Sequence, residues 1–186
     1  KVLLSFDDGP NPNTTVVILK KLKEYKCKAI FFCVGENIER YPELTRKIID
    51  EGHVIGNHSH SHKDILGTNR IIIENEIKQC SDSINKIVGN LPNYFRPPRG
   101  RFNFRTQNQI SKHDMKNVMW TLLTYDYKND LNIVKFAVQK YLSKDSIIVL
   151  HDSNKSKNII AQAIDFIFKE AKRKGFEIGE PLECLK

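Results

Sequence analysis

Five short stretches of the chain hold residue types that do chemistry together. Ser5-Phe6-Asp7-Asp8-Gly9-Pro10 sets two carboxylates side by side after the apolar run Val2-Leu3-Leu4. Adjacent carboxylates repel and Gly-Pro ends regular structure, so a plain acidic turn is the simplest account of the pair taken alone. A division of labour is the other, with one carboxylate on a metal and its neighbour handling protons. Gly56 to His62 reads GNHSHSH, with histidines at 58, 60 and 62. His58 and His62, at i,i+4, would share a face of a helical turn, and His58 and His60 a face of a strand; either pair could hold one ion. Two imidazoles and one carboxylate, from Asp7 or Asp8, leave open coordination positions of the kind hydrolytic metal sites use. Phe95 to Gly100 reads FRPPRG: two prolines stiffen a turn that presents Arg96, whose guanidinium can orient a carboxylate, while amides beyond the prolines can face a developing oxyanion. Thr124-Tyr125-Asp126-Tyr127 sets a carboxylate between aromatics, and Ile147 to Ser153 ends an apolar run on His151-Asp152. A histidine released there is suited to general-acid work. His53 and His113 stand alone and read as structural.

Positioning these groups requires elements that end where the groups begin. Strand-like runs at Val2 to Phe6, Ala29 to Val34, Val54-Ile55, Tyr94-Phe95, Asn117 to Trp120, Ser146 to Leu150 and Phe176 to Ile178 alternate with helical patterns. The helices fall at Asn13 to Tyr25, Pro42 to Glu51, Asn69 to Val88, Arg105 to Lys112, Asn132 to Tyr141 and Asn158 to Lys174. Such alternation predicts an α/β fold with a mostly parallel sheet, open or closed into a barrel. Active sites in these folds collect at the carboxyl ends of the strands, where Asp7-Asp8, His58, Arg96, Asp126 and His151 all fall.

At 186 residues, without a Gly/Ser linker or an internal repeat, the chain reads as one domain over 1–186. No apolar run reaches the roughly 20 residues of a membrane span, and no signal or anchor is seen in this stretch. A net charge of +8 favours acidic partners in general, but the lysines are scattered over helical segments and no nucleic-acid-binding signature accompanies them. Cys27, Cys33, Cys80 and Cys184 lack CxxC spacing and read as small hydrophobes, with a disulfide left open.

In order and rough spacing, SFDDGP, NHSHSH, RPPRG, TLLTYDY and VLHD resemble the polysaccharide deacetylase family, the NodB-homology domains of carbohydrate esterase family 4, over nearly the whole chain. The resemblance implies a distorted seven-stranded (β/α) barrel. It also implies Asp7 as catalytic base, Asp8, His58 and His62 as ligands of one divalent metal (zinc foremost, cobalt or nickel compatible), and His60 at a variable position. Arg96 would orient the base, His151 would be the acid and Asp126 its support. Pro98, Arg99, Gly100 and Tyr127 would meet substrate, with a backbone N–H near Arg99 facing the oxyanion. The implied reaction is N-acetyl hydrolysis on an N-acetylglucosamine-containing polysaccharide, peptidoglycan or chitin-like, by a monomer outside the cytoplasm. O-acetyl removal from a xylan-like polymer and non-catalytic glycan binding are the alternatives. The chain departs from the family pattern with Arg at 99 in place of an aromatic, Tyr127 in place of Trp, Leu123 in place of a frequent Asp, and Val149 in place of Leu.

Overall fold

A computed structural model describes residues 1–185. Its centre is β1 (Leu3–Asp7), buried at every residue, with β2 (Ile30–Cys33) on one side and β7 (Ile147–His151) on the other. Helices cover such a strand from outside while side chains fill its concave face, so both of its faces are buried, Ser5 and Asp7 included. The other strands are β3 (Val54–Asn57), β4 (Tyr94–Phe95), β5 (Lys116–Asn117) and β6 (Leu122–Leu123). All seven pair in parallel in the order β5-β4-β3-β2-β1-β7-β6, curled into a half-barrel. Among the described residues β5 and β6 do not pair, so the distorted seven-stranded barrel expected from the motifs is present and open on one side.

Period-two alternation sorts the strand side chains. Leu4, Phe6, Phe31, Ile148 and Leu150 point outward into the main core, built with α1 (Thr15–Glu24), α6 (Leu131–Tyr141) and α7 (Ile160–Arg173). Helix α7 meets it through Ile160, Ala163, Ile164, Ile167 and Ala171, a stripe at helical spacing. Leu3, Ile30 and Phe32 point inward, and so do the residues in step with Leu3, namely Ser5 and Asp7. The remaining helices are α2 (Gly35–Arg40), α3 (Pro42–Asp50), α4 (Arg70–Val88), α5 (Phe104–Lys112) and α8 (Pro181–Cys184). The longest, α4, starts on the Asn69 side chain, which accepts from the Ile72 amide at 2.9 Å, and stops at Gly89 in the left-handed region, φ 84°.

Several boundaries differ from the sequence expectation. The strand expected near Asn117 to Trp120 is displaced: β5 ends at Asn117 and β6 begins at Leu122, each two residues long and too short for a periodic signal. Phe176 to Ile178 forms a single bridge, Ile178 to Val2, rather than a strand. Helices α2 and α8 were not anticipated, being six and four residues long. All four cysteines are free thiols, three of them buried.

Candidate active site

Strand register brings the motifs together. Asp7, the last residue of β1, stands level with His151, the last of β7. Asn57 pairs with Phe95, which sets His58 beside Arg96; the His58 amide donates to the Cys33 carbonyl at 3.0 Å and the Arg96 amide to the Asn57 carbonyl at 3.0 Å. Five separate sequence motifs therefore reach one mouth, around a cavity of about 300 Å³. A larger concavity, near Tyr25 and Phe168, holds none of the motif residues.

The two adjacent carboxylates have different partners. Asp7 is buried, and its Oδ1 accepts from Arg96 Nη1 at 2.7 Å. Arg96 is wholly buried: Nε donates to the Val118 carbonyl at 2.8 Å, Nη1 also reaches Ser5 Oγ at 2.8 Å, and the guanidinium lies 4.1 Å from the centre of the Phe32 ring. Ser5 in turn donates to the Ile148 carbonyl. A guanidinium fixed by this many contacts holds one orientation and fixes the carboxylate it faces.

Asp8 turns the other way. It adopts a left-handed backbone conformation, φ 76°, which rotates its side chain off the line of β1. Its Oδ1 lies 3.1 Å from His62 Nε2 and 3.6 Å from His58 Nε2. Burial works against the Asp8 carboxylate, but the two imidazoles outweigh it and hold its pKa well below the usual range. His58 and His62 are not on a helical turn. They are brought to one point by two left-handed residues, Ser59 at φ 64° and His62 at φ 55°, within an irregular loop. Glu76 of α4 pins that loop by accepting from the His60 and Ser61 amides at 3.0 and 2.8 Å and from the Ser61 hydroxyl at 2.6 Å. Nothing in the sequence marks Glu76 beyond a charge beside an apolar stripe. His60 packs against Gly35, away from the Asp8 cluster.

This cluster suits a metal. One ligand atom each from Asp8, His58 and His62 lie within 4.8 Å of one another. The Asp8 separations of 3.1 and 3.6 Å bracket the roughly 3.3 Å edge of a tetrahedron with ligands about 2.0–2.1 Å from the ion. His58 Nδ1 sits 2.7 Å from the Arg96 carbonyl, which can only accept, so Nδ1 carries the hydrogen and Nε2 presents its lone pair to the cluster. Arg96 thus touches both halves of the site, by its guanidinium to Asp7 and by its carbonyl to His58.

On the opposite wall, His151 Nδ1 is 2.7 Å from Asp126 Oδ1, and the His151 amide donates to Asp126 Oδ2 at 2.7 Å. Asp126 is fully buried and accepts from the Thr124 hydroxyl at 3.0 Å. Burial disfavours the imidazolium, yet the hydrogen bond and charge of Asp126, with Asp8 and Asp7 behind it, raise the His151 pKa to about 9. The Tyr127 ring stands edge-on to His151, centroids 5.1 Å apart. Leu123, one of the departures, lines the cavity as an apolar wall.

Three lining or supporting residues escaped the sequence reading. Trp120 faces the cavity and lies 5.7 Å from the Arg96 guanidinium; its signal was its being the chain's sole tryptophan. Lys155 lines the rim four residues past His151. Asp152, wholly buried, accepts from the Thr14 and Thr15 hydroxyls at 2.5 and 2.6 Å, and its amide donates to the Asp7 carbonyl at 2.7 Å. Burial raises its pKa to about 7 against the pull of the two hydroxyls. Pro98, Arg99 and Gly100 form a tight turn in which Arg99 has φ 58° and Gly100 φ 67°; a Cβ on Gly100 would strike the Trp120 ring, 2.4 Å away. His53 is structural: its Nδ1 accepts from the Ala29 amide, and burial, helped by Lys28, lowers its pKa to about 4.

The chain resembles known proteins in sequence and in fold. The sequence profile described as polysaccharide deacetylase matches residues 1–118. A peptidoglycan-N-acetylglucosamine deacetylase of Bacillus cereus is 38% identical over 128 residues, 69% of this chain and 46% of that protein. The peptidoglycan-N-acetylmuramic acid deacetylase PdaC of Bacillus subtilis is 35% identical over 95% of this chain and 37% of its own length. The chain thus spans less than half of either relative. The crystal structure of the Bc1960 peptidoglycan N-acetylglucosamine deacetylase superposes with a TM-score of 0.94 at 31% identity, covering 99% of this chain and 87% of that one.

Proposed function

The chain belongs to the polysaccharide deacetylase family, and on that premise we propose that it is a metal-dependent hydrolase. It removes N-acetyl groups from N-acetylglucosamine-type sugars of peptidoglycan or a chitin-like glycan, working as a monomer outside the cytoplasm. The observation that carries the reading is the separation of two neighbouring carboxylates, Asp7 onto Arg96 and Asp8 onto His58 and His62.

Asp8, His58 and His62 would hold one divalent ion, zinc foremost and cobalt or nickel compatible, which when bound supplies Lewis-acid polarisation and acidifies water. Asp7 keeps Oδ1 on Arg96 and leaves Oδ2 facing the cleft, 3.9 Å from His58 Nε2, to accept a proton from the attacking water. General-base help of this kind is worth roughly 10²–10⁴ in rate. A backbone N–H near Arg99, on the turn at Pro98, Arg99 and Gly100, would face the developing oxyanion. An amine leaves only when protonated. His151, with Nδ1 on Asp126, presents Nε2 and its proton to the cleft for that step. A permanently held acid of this kind favours amide over ester as the bond broken. Tyr127, Trp120 and Leu123 wall the sugar. No helix among the described residues is long and apolar enough to cross a membrane.

Acetate release from acetylated chitooligosaccharides and from peptidoglycan fragments, with and without a chelator, tests the proposal. Release that stops on chelation and returns with zinc is expected; release indifferent to the chelator would remove the metal role.

A further inference from the structure

Outside the reaction cavity, a second group of cations stands without partners. Helix α5 carries Arg105, Asn108, Gln109 and Lys112 at i, i+3, i+4 and i+7, one face of the helix. That face lines a cavity of about 260 Å³, bordered by Asn69 and Arg70 at the start of α4. No carboxylate lines it. Among the described residues the side chains of Arg70, Arg105 and Lys112 make no salt bridge, hydrogen bond or ring contact. Neighbouring cations do: Arg101, just before α5, pairs with Asp64, and Lys78, further along α4, with Asp82.

Three exposed cations alone would be a solvated face, but two further observations point to a ligand. Gln109 is 2% exposed and lines the cavity, and its Oε1 has no hydrogen-bond partner. Buried carbonyl oxygens are nearly always satisfied, so this one calls for a donor from whatever enters. The second observation is the apolar surround. Ile71 and Ile72 follow Arg70, and Phe104 precedes Arg105; all three are exposed, Ile71 to 68% and Phe104 to 79%. Asn69 caps α4 and Asn103 caps α5, so these side chains stand on ordered first turns. Guanidinium groups capture a phosphate through paired hydrogen bonds, and a lysine adds a point charge. A bare anion would set its lone pairs against Gln109 Oε1, so the ligand carries an O–H donor beside its phosphate. Exposed isoleucines gain little from a soluble polyol-phosphate chain; they gain by entering the boundary between lipid headgroups and acyl chains.

We infer that this cavity is a headgroup site for an anionic phosphoglycerol lipid, through which the chain attaches reversibly to a bilayer surface. Arg70, Arg105 and Lys112 take the phosphodiester, Gln109 accepts from a glycerol hydroxyl, and Ile71, Ile72 and Phe104 enter the surface. Helix α4 follows the histidine loop and α5 follows the turn at Pro98, Arg99 and Gly100. Attachment at their first turns therefore holds the two loops of the reaction cavity close to the bilayer. The inference is independent of the deacetylase reading.

Vesicle sedimentation tests it with three compositions. These are phosphatidylcholine alone, phosphatidylcholine with phosphatidylglycerol, and phosphatidylcholine with an equal share of phosphatidylmethanol, a phosphodiester of the same charge without headgroup hydroxyls. The variants are Arg70→Gln with Arg105→Gln, Phe104→Ala, Gln109→Met, and Lys20→Gln with Lys23→Gln on α1 as a control for net charge. A cation near an anionic surface strengthens partitioning by about fivefold. The wild type should therefore bind phosphatidylglycerol vesicles roughly a hundredfold more strongly than phosphatidylcholine alone. The arginine pair of substitutions should lose about 25-fold and Phe104→Ala about tenfold, each with the wild-type Tm, so that lost binding is not lost fold. The lysine control should keep wild-type binding, and added salt should weaken it. Wild type should prefer phosphatidylglycerol to phosphatidylmethanol, and Gln109→Met should bind the two alike. Equal losses in the arginine and lysine variants would reduce the effect to net charge and overturn the site. Calorimetric binding of inorganic phosphate or of a soluble poly(glycerol phosphate), without binding to phosphatidylglycerol vesicles, would overturn the bilayer as occupant. Equal wild-type binding of the two anionic vesicles would overturn the phosphoglycerol headgroup.

Discussion

At the scale of single residues, the site turns on how each titratable group is partnered. His151 shows it most directly. An imidazole as buried as this one would ordinarily titrate below about 6.5, and the Asp126 hydrogen bond and charge carry it to about 9 instead. The sign of the linkage follows. The folded pKa lies above the unfolded one, so the stability this pair contributes is complete below about 6.5 and is lost as pH rises through about 9. With Asp126→Asn the burial remains and the charge is gone, so the His151 resonance in an NMR titration of the metal-free protein should move from about 9 to 6.5 or lower. The alkaline limb of kcat/KM should move down with it, since the acid would lose its proton within the working range. A cation bound at Asp8 opposes the imidazolium, so the loaded enzyme's limb lies below the metal-free value and the variant's lower still. An unchanged His151 titration in Asp126→Asn would show that some other group holds the proton.

Elements matter through where they stop. Strand β1 ends at Asp7, and the next residues, Asp8 and Gly9, are tied down from three sides. The Asp152 amide donates to the Asp7 carbonyl at 2.7 Å, Asn37 Nδ2 to the Asp8 carbonyl at 2.7 Å, and the Val34 amide to the Gly9 carbonyl at 2.9 Å. Gly9 is there because the backbone passes over the buried Asp152: a Cβ would sit 2.2 Å from Asp152 Oδ2, which already accepts from Thr15. Gly9→Ala should therefore cost about 1–3 kcal/mol as an overpacking substitution. The drop in Tm should be about 2–4 °C per kcal/mol for a domain of this size. The loss of acetate release should exceed what the remaining folded fraction explains, because the displaced loop carries Asp7 and Asp8. A Gly9→Ala protein with wild-type Tm and turnover would show that the loop has slack. The sequence revealed this arrangement unevenly. SFDDGP, the histidine loop and the strand-end position of His151 were legible because they couple residue type to an apolar run. Asp152, Glu76 and α2 were not, since a buried carboxylate looks like any turn residue until its hydroxyl and amide donors, distant in sequence, are in place. The i,i+4 spacing offered His58 and His62, the pair the fold brings to Asp8, beside the alternative of His58 and His60, but for a helical reason. Left-handed residues at 59 and 62, which spacing cannot encode, do the aiming.

For the molecule as a whole, the candidate metal cluster is a cross-link between distant parts of the sheet. Asp8 follows β1 and the two histidines follow β3, with β2 between them. The unfolded chain has no such cluster, so an ion bound there stabilises the fold by mass action, about 2.7 kcal/mol at a free concentration one hundred times Kd. That gain should appear as a rise in Tm of roughly 5–11 °C on adding zinc to the chelated protein. The size of the rise separates the roles given to the two adjacent carboxylates. Asp7→Asn keeps all three ligands, so zinc should still raise its Tm while acetate release is lost. His58→Ala removes one ligand and leaves Asp8 with a single imidazole, so the zinc-dependent rise should shrink to a small fraction and release should fail as well. Differential scanning calorimetry with and without zinc, read beside metal content after gel filtration, checks both variants together. If Asp7→Asn lost the zinc-dependent rise as completely as His58→Ala, Asp7 would belong to the metal and the base would have to be sought elsewhere in the cavity. A rise in both variants equal to the wild type's would move the metal away from His58. The expected split, one variant stabilised and inactive and the other neither, follows from the Arg96 guanidinium claiming Asp7 and leaving Asp8 as the carboxylate nearest both imidazoles.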